Sequence, residues 1–134
     1  MKKFIALFIS CISFIILDLI WIKIMQVPFS KMISSIMLPK LHINFLTLIY
    51  TYALLLIGFI YFIALPYLVH KKTFKYLIAS FLLGVIIFGN FEITNSALFP
   101  NWKTSILILD TIWGGVLYFA STIILILSYK LIKK

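Results

Sequence analysis

The 134-residue sequence contains no arginine, a single cysteine and only three acidic residues. Without arginine it lacks the planar, bidentate clamps that commonly hold phosphate groups, which excludes a nucleotide or nucleic-acid site built on such clamps. Because Cys11 has no partner, an intrachain disulfide is excluded. Only 11% of the residues are charged, which is too few to coat a water-facing surface, so a soluble domain is excluded as well.

Apolar residues make up 64% of the chain, and the mean hydropathy is +1.20. A helix needs about 20 apolar residues to cross a bilayer, and lipid offers no partner for open backbone groups, so the apolar segments are expected to be helices. We predict an all-α integral membrane four-helix bundle, one transmembrane domain over residues 1–134, embedded in the lipid bilayer. The predicted spans are about 4–25, 45–69, 74–98 and 104–129. Four glycines predict close approach of the helices: Gly58, Gly84, Gly89 and Gly114.

The segment between the first two spans has a different pattern. Pro28 and Pro39 bracket ten residues, 29–38, that polar side chains interrupt. Ten residues are too few to cross a bilayer as a helix. The pattern predicts a short amphipathic helix lying in the interface.

The lysines give a net charge of +9 and predict the orientation. They are dispersed around the apolar runs, which favours snorkelling anchors and not a nucleic-acid surface. One side of the predicted bundle holds eight: Lys2, Lys3, Lys71, Lys72, Lys75, Lys130, Lys133 and Lys134. The other side holds four: Lys23, Lys31, Lys40 and Lys103. The excess of lysine on one side predicts a multi-pass protein with both termini in the cytoplasm.

All three acids lie inside the predicted spans, where each buried charge costs roughly 2.5–3.5 kcal/mol on insertion scales. Asp18, Glu92 and Asp110 are seven or eight residues from the same membrane face. At about 1.5 Å per residue this is a depth of roughly 10–12 Å for each of them. The sequence therefore predicts one layer of carboxyl groups, on three helices, that builds a polar pocket opening outward.

The surroundings of this layer supply hydrogen-bond donors. Asp18 and Asp110 each precede a tryptophan by three residues, so an indole N–H lies on the same helical face and can donate to a neighbouring carboxylate. Trp102, near the end of a span, is predicted to be an interfacial anchor. The candidate ligand- or proton-binding residues are Asp18, Glu92, Asp110, Trp21, Trp113, Tyr50 and Asn95.

Three motifs in order carry a family resemblance: Leu17-Asp18-x-x-Trp21, Gly89-x-x-Glu92-x-Thr94-Asn95 and Asp110-x-x-Trp113-Gly114. They resemble the predicted membrane proteins of the domain of unknown function 2177 family over nearly the whole chain. That family usually has Tyr-Asp-x-Thr-Asn at the second motif, where this sequence has Phe91 and Glu92 before the matching Thr94 and Asn95. The resemblance implies a four-span helical membrane protein and implies no activity.

Three functions stay open from the sequence. The carboxyl groups can bind or transport a small solute or cation, they can fix helix packing in a structural or assembly protein, or they can serve a membrane-embedded enzyme. The sequence leans against an enzyme, because His42 and His70 lie at opposite membrane faces and no Ser-His-Asp or Cys-His set shares one depth. We predict no catalytic residue and no cofactor. The metal stays undetermined, although oxygen ligands suit Mg²⁺, Ca²⁺ or Mn²⁺. A bundle this small can hold its site in one chain or between copies of a homo-oligomer.

Overall fold

The computed structural model describes residues 1–36 and 44–133. Its helices are α1 (Lys2–Ser34), α2 (Phe45–Phe59), α3 (Leu65–His70), α4 (Thr73–Leu98) and α5 (Thr104–Lys133). A π-helical turn, Ile60–Ala64, joins α2 to α3. The two helices and this turn form one element, Phe45–His70, so the described residues contain four helices long and apolar enough to cross a membrane. The predicted all-α, four-span architecture is confirmed.

The first helix is longer than its predicted span. It continues through Pro28 to Ser34, so residues 29–34 of the predicted short helix belong to α1, and residues 37 and 38 lie outside the described residues. A proline removes one backbone hydrogen bond. Tertiary contacts compensate for this loss: Met32 is fully buried, its sulfur accepts a hydrogen bond from the backbone N–H of Lys103 at 3.2 Å, and Phe29 packs edge-on against Trp102.

The bundle has two ends, which we name by the segments they carry. At the loop end α1 ends at Ser34, α2 begins at Phe45, and residues 99–103 connect α4 to α5. The terminus end carries Met1, the turn at residues 71–72 and the end of α5. At 33 residues, α1 is about 50 Å long, whereas the hydrocarbon layer is only about 30 Å thick. This helix is therefore long enough to cross the layer with several turns to spare.

Helix α5 is central and packs most extensively against α4. Their backbones touch at a glycine seam that consists of Gly84 on α4 with Gly114 and Gly115 on α5. A Cβ atom at Gly114 would lie 2.6 Å from the carbonyl oxygen of Gly84. Gly58 differs from the seam, because a Cβ there would meet nothing nearer than the Tyr118 hydroxyl at 3.9 Å. Backbone contact therefore requires glycine at Gly84 and Gly114. A Cβ at Gly115 would instead meet the Phe81 and Val85 side chains, whereas Gly58 has room.

Helix α2 packs on the bundle only in its second half. Phe59 is its one buried residue, and it forms an aromatic core with Phe14 of α1 and Tyr118 of α5, with ring centroids 5.0–6.0 Å apart. The Tyr118 hydroxyl donates to the carbonyl oxygen of Leu55 at 3.0 Å. Because the earlier turns of α2 have no buried side chain, a cleft opens between α2 and the other helices toward the loop end.

Four spans place the two ends of the bundle on opposite sides of the membrane. Ser34 and Lys72 are both exposed, one at each end. In a Cys11→Ser background, S34C and K72C are expected to react with a membrane-impermeant maleimide from opposite sides in intact and inside-out vesicles. Labelling of both positions from the same side would contradict four crossings. The lysine distribution further predicts that Lys72 is on the cytoplasmic side.

Candidate functional site

The two Asp-x-x-Trp steps exchange their hydrogen bonds. Trp21 Nε1 of α1 donates to Asp110 Oδ1 of α5 at 2.7 Å, and Trp113 Nε1 of α5 donates to Asp18 Oδ1 of α1 at 3.1 Å. The two indole rings stack with centroids 4.6 Å apart and an interplanar angle of 9°. Each tryptophan therefore bonds the aspartate of the other helix.

The antiparallel arrangement of the two helices explains this exchange. Helix α1 runs toward the loop end and α5 runs away from it. Trp21 therefore lies nearer to the loop end than Asp18, while Trp113 lies farther from it than Asp110. Each indole is consequently level with the carboxylate of the opposite helix. The same three-residue spacing on both helices makes the two bonds reciprocal.

Glu92 of α4 is fully buried and is bonded by the third tryptophan. Trp102 Nε1, from the connection between α4 and α5, donates to Glu92 Oε2 at 2.7 Å. The position of Trp102 near a span end predicts an interfacial anchor, and its bond to an intramembrane carboxyl is not visible in the sequence. As a result, each of the three acids accepts a hydrogen bond from one of the three tryptophans.

The tyrosine that reaches this layer is Tyr52 and not the predicted Tyr50. The Tyr52 hydroxyl donates to Asp18 Oδ2 at 3.0 Å, whereas Tyr50 is 64% exposed. Residues two apart on a helix point about 200° away from each other, so only one of the pair can face the bundle. Tyr52 lies seven residues before the buried Phe59 and so shares its helical face, but Tyr50 has the same spacing to Ile57, so the sequence alone does not favour Tyr52.

Asn95 is half-buried, one turn beyond Glu92 on α4, and its side chain makes no hydrogen bond within the described part of the chain. Two buried oxygens in the layer lack a hydrogen-bond partner among the described residues, Glu92 Oε1 and Thr111 Oγ1. The carboxyl groups of Glu92 and Asp110 lie within hydrogen-bonding reach of each other. The layer therefore contains unused acceptor capacity next to a second carboxyl group.

No cation neutralises this layer in the part of the chain that the structure describes. The side chains that interact with Asp18, Glu92 and Asp110 through hydrogen bonds or charge are indoles, one phenol and the other carboxyl groups. No described lysine or histidine is among them. Within residues 1–36 and 44–133, no three His, Cys, Asp or Glu side chains converge as ligands for a metal ion. The three acids share one layer, but they do not form a three-ligand cage.

A cleft with a volume of about 840 Å³ reaches part of this layer. Its walls come from residues 18–33 of α1, from Thr51 and Leu55 of α2, and from Phe88 and Phe91 of α4. Asp18 and Asp110 lie at the end of the cleft farthest from the loop end, and Trp21 lines it beside them. Glu92, Trp113, Tyr50 and Asn95 do not line the cleft, so the predicted pocket contains two of the three acids.

The described part of the chain contains four helices of membrane-spanning length, and they enclose a layer of carboxyl groups that tryptophans bond. These features define a multi-span membrane protein with an intramembrane polar site. A family model described as "Predicted membrane protein (DUF2177)" matches residues 3–127, and the chain belongs to this family. The resemblance carried by the three sequence motifs is thereby confirmed. No curated protein and no solved structure matches the chain.

Proposed function

We propose that the protein binds an organic cation, a substituted ammonium or phosphonium group with an apolar body, in the cleft between α1, α2 and α4. One observation carries the proposal. An apolar-walled cleft of about 840 Å³ ends at the Asp18 and Asp110 carboxylates, and no described lysine or histidine pairs with either of them.

The inner end of the cleft favours positive charge. An ionised carboxylate offers about four acceptor positions, and the indole and phenol donors occupy only some of them. Trp21 lines the cleft beside the two aspartates, and an indole ring attracts a cation by roughly 0.5–2 kcal/mol, depending on how far the site is desolvated. The charges of Asp18 and Asp110 act in an apolar setting, where their attraction for a cation is stronger than in water.

The walls favour an apolar body attached to that charge. Leu19, Ile22, Leu55, Phe88 and Phe91 line the cleft, and burial of apolar area contributes about 25 cal/mol per Å². Lys23 is exposed on the same wall, nearer to the loop end. A second positive charge on the ligand would face this ammonium group, so the expected ligand has one cationic head.

Transport would extend this binding. With the termini in the cytoplasm, as the lysines predict, the cleft opens toward the outside. The route toward the terminus end is filled by Phe14, Phe59 and Tyr118, all fully buried. Passage would therefore need a movement of α2, whose one buried residue is Phe59. Binding is the step that the cleft itself supports.

A structural role is the second candidate, and the indole bonds favour it. Each carboxyl group is joined to another helix or connection by a tryptophan, which links α1 to α5 and α4 to the loop at residues 99–103. If this were the only role, amide substitutions of the three acids would change thermal stability. Neither the wild-type protein nor these variants would respond to a ligand.

Two ligands of the same shape and opposite charge test the proposal: tetraphenylphosphonium and tetraphenylborate. In lipid nanodiscs, with empty nanodiscs subtracted, we expect tetraphenylphosphonium to raise the melting temperature and to quench tryptophan fluorescence, whereas tetraphenylborate does neither. D18N and D110N are each expected to weaken binding at least about tenfold, equivalent to about 1.4 kcal/mol.

Tyr50→Phe is the matched control, because it removes an exposed hydroxyl two residues from Tyr52 and should leave the affinity unchanged. Equal responses to the two ions, or undiminished tetraphenylphosphonium affinity in both aspartate variants, would contradict the proposal. Altered melting without any ligand response would support the structural role.

A further inference from the structure

Glu92 occupies a position that an ionised carboxylate fits poorly. Its side chain is fully buried, Trp102 supplies a donor to Oε2, and Oε1 has no hydrogen-bond partner among the described residues. A buried charge with an unpaired acceptor is costly in an apolar interior. The group that faces Glu92 from α5 is another acid, Asp110, so charging both would add repulsion to the cost of burial.

The titratable groups that act on Glu92 and Asp110 are few, and none of those among the described residues is cationic. Lys23 lines the same cleft as Asp110, but it is exposed and lies nearer to the loop end. Asp110 faces Glu92 from α5, Asp18 of α1 interacts with Asp110, and Tyr52 of α2 bonds Asp18. The donor at Glu92 from the connecting loop, Trp102, is a neutral indole. Charge balance at Glu92 must therefore come from a proton or from a ligand.

We propose that Glu92 carries a proton that it shares with Asp110, and that a cation entering the cleft at Asp110 displaces this proton. The neutral Glu92 acid has a hydroxyl group that can donate to the Asp110 carboxylate, as the reach between the two groups allows. The coupling to cations rests on the proposed function, whereas the shared proton does not.

Asp110 links cation binding to proton release, because it contacts both the cleft and Glu92. It lies within hydrogen-bonding reach of Glu92 and also lines the cleft, which Glu92 does not. When a monovalent cation binds beside Asp110, the O–H bond of Glu92 breaks, the bonding electron pair stays on the carboxylate, and the proton leaves to water. One positive charge enters and one leaves, so the net charge of the site is unchanged.

Infrared spectroscopy tests the proton without any ligand. A protonated carboxyl group gives a carbonyl band that is separate from the carboxylate bands. In nanodiscs near neutral pH, the wild-type protein is expected to show this band, and Glu92→Gln to lack it, while Tyr50→Phe retains it. Asp110→Asn is expected to keep the band at a shifted frequency, because the acceptor of the Glu92 hydroxyl becomes an amide. If Glu92→Gln fails to fold, the shift of the band in Asp110→Asn tests the shared proton instead.

The coupling is measured by adding tetraphenylphosphonium to the wild-type protein in weak buffer with a pH indicator. We expect close to one proton released for each cation bound, and an affinity that rises up to tenfold per pH unit while the site is protonated. In Glu92→Gln we expect no proton release and no pH dependence of the affinity.

The outcomes separate this inference from the proposed function. Absence of the neutral carboxyl band in the wild-type protein, or an unchanged band in Glu92→Gln, would overturn the shared proton. Cation binding without proton release would overturn the coupling and leave the proposed function standing. If the Glu92 band is present and tetraphenylphosphonium does not bind, the shared proton is supported, and both the coupling and the proposed function fail.

Discussion

Alanine at Gly84 is expected to cost at least about 3 kcal/mol of stability, at or above the upper end of the usual range for overpacking. A Cβ there would collide with the carbonyl group of Gly114 and would lie 2.9 Å from the amide nitrogen of Gly115. Both are backbone groups of α5, so no side-chain rotation can relieve the clash. The two helices must separate, which disturbs the most extensive helix pair in the bundle and shifts α5, on which Asp110 lies.

Thermal unfolding in detergent, followed by circular dichroism, measures this effect. Gly58→Ala is the matched control, because its new Cβ atom would have no neighbour nearer than 3.9 Å. Replacing a glycine within a helix by alanine also stabilises the helix by up to about 1 kcal/mol. We expect a large fall in melting temperature for Gly84→Ala and none for Gly58→Ala. Similar melting of the two variants would show that α4 and α5 do not touch at this seam.

The exchanged tryptophan bonds lead to the second large effect. Trp21→Phe keeps an aromatic ring and removes the N–H that Asp110 Oδ1 accepts at 2.7 Å. Hydrogen bonds to charged groups contribute about 1.5–3 kcal/mol, so a loss of this size is expected. Trp113→Phe should cost less, because the bond that it removes is longer, at 3.1 Å, and Tyr52 continues to donate to the Asp18 carboxylate.

Double-mutant cycles distinguish the exchanged bonds from bonds within each helix. Trp21→Phe and Asp110→Asn should couple by about 1 kcal/mol or more, as partners in direct contact do. The same-helix cycle, Trp21→Phe with Asp18→Asn, is the matched comparison and should couple less, since no hydrogen bond joins those two side chains in the structure. Stronger coupling within α1 than between α1 and α5 would contradict the exchange.

The sequence was sufficient for the features that depend on composition and spacing. Apolar run lengths predict four spans, and helical rise places Asp18, Glu92 and Asp110 in one layer. The Asp-x-x-Trp spacing identifies Trp21 and Trp113 as donors to neighbouring carboxylates. These conclusions need no knowledge of how the helices pack, because depth along a span depends only on the count of residues from its end.

The features that depend on packing could not be read from the sequence. Which aspartate each tryptophan bonds depends on which faces of α1 and α5 pack together, and no residue spacing specifies that contact. The choice of Tyr52 over Tyr50 depends on which face of α2 meets the bundle. The continuation of α1 through Pro28 is accompanied by contacts with residues distant in the sequence, such as the one between Met32 and the backbone of Lys103.

The position of a bound cation tests the central claim most directly, which is that the cleft ends in a cation site. Tetraphenylarsonium has the shape of tetraphenylphosphonium, and its arsenic atom can be located in a crystal by anomalous scattering. The proposed site predicts one arsenic peak at the inner end of the cleft, beside Asp18, Asp110 and Trp21, that is lost in a D18N/D110N variant. An arsenic peak elsewhere on the protein, or the same peak retained in that variant, would contradict it.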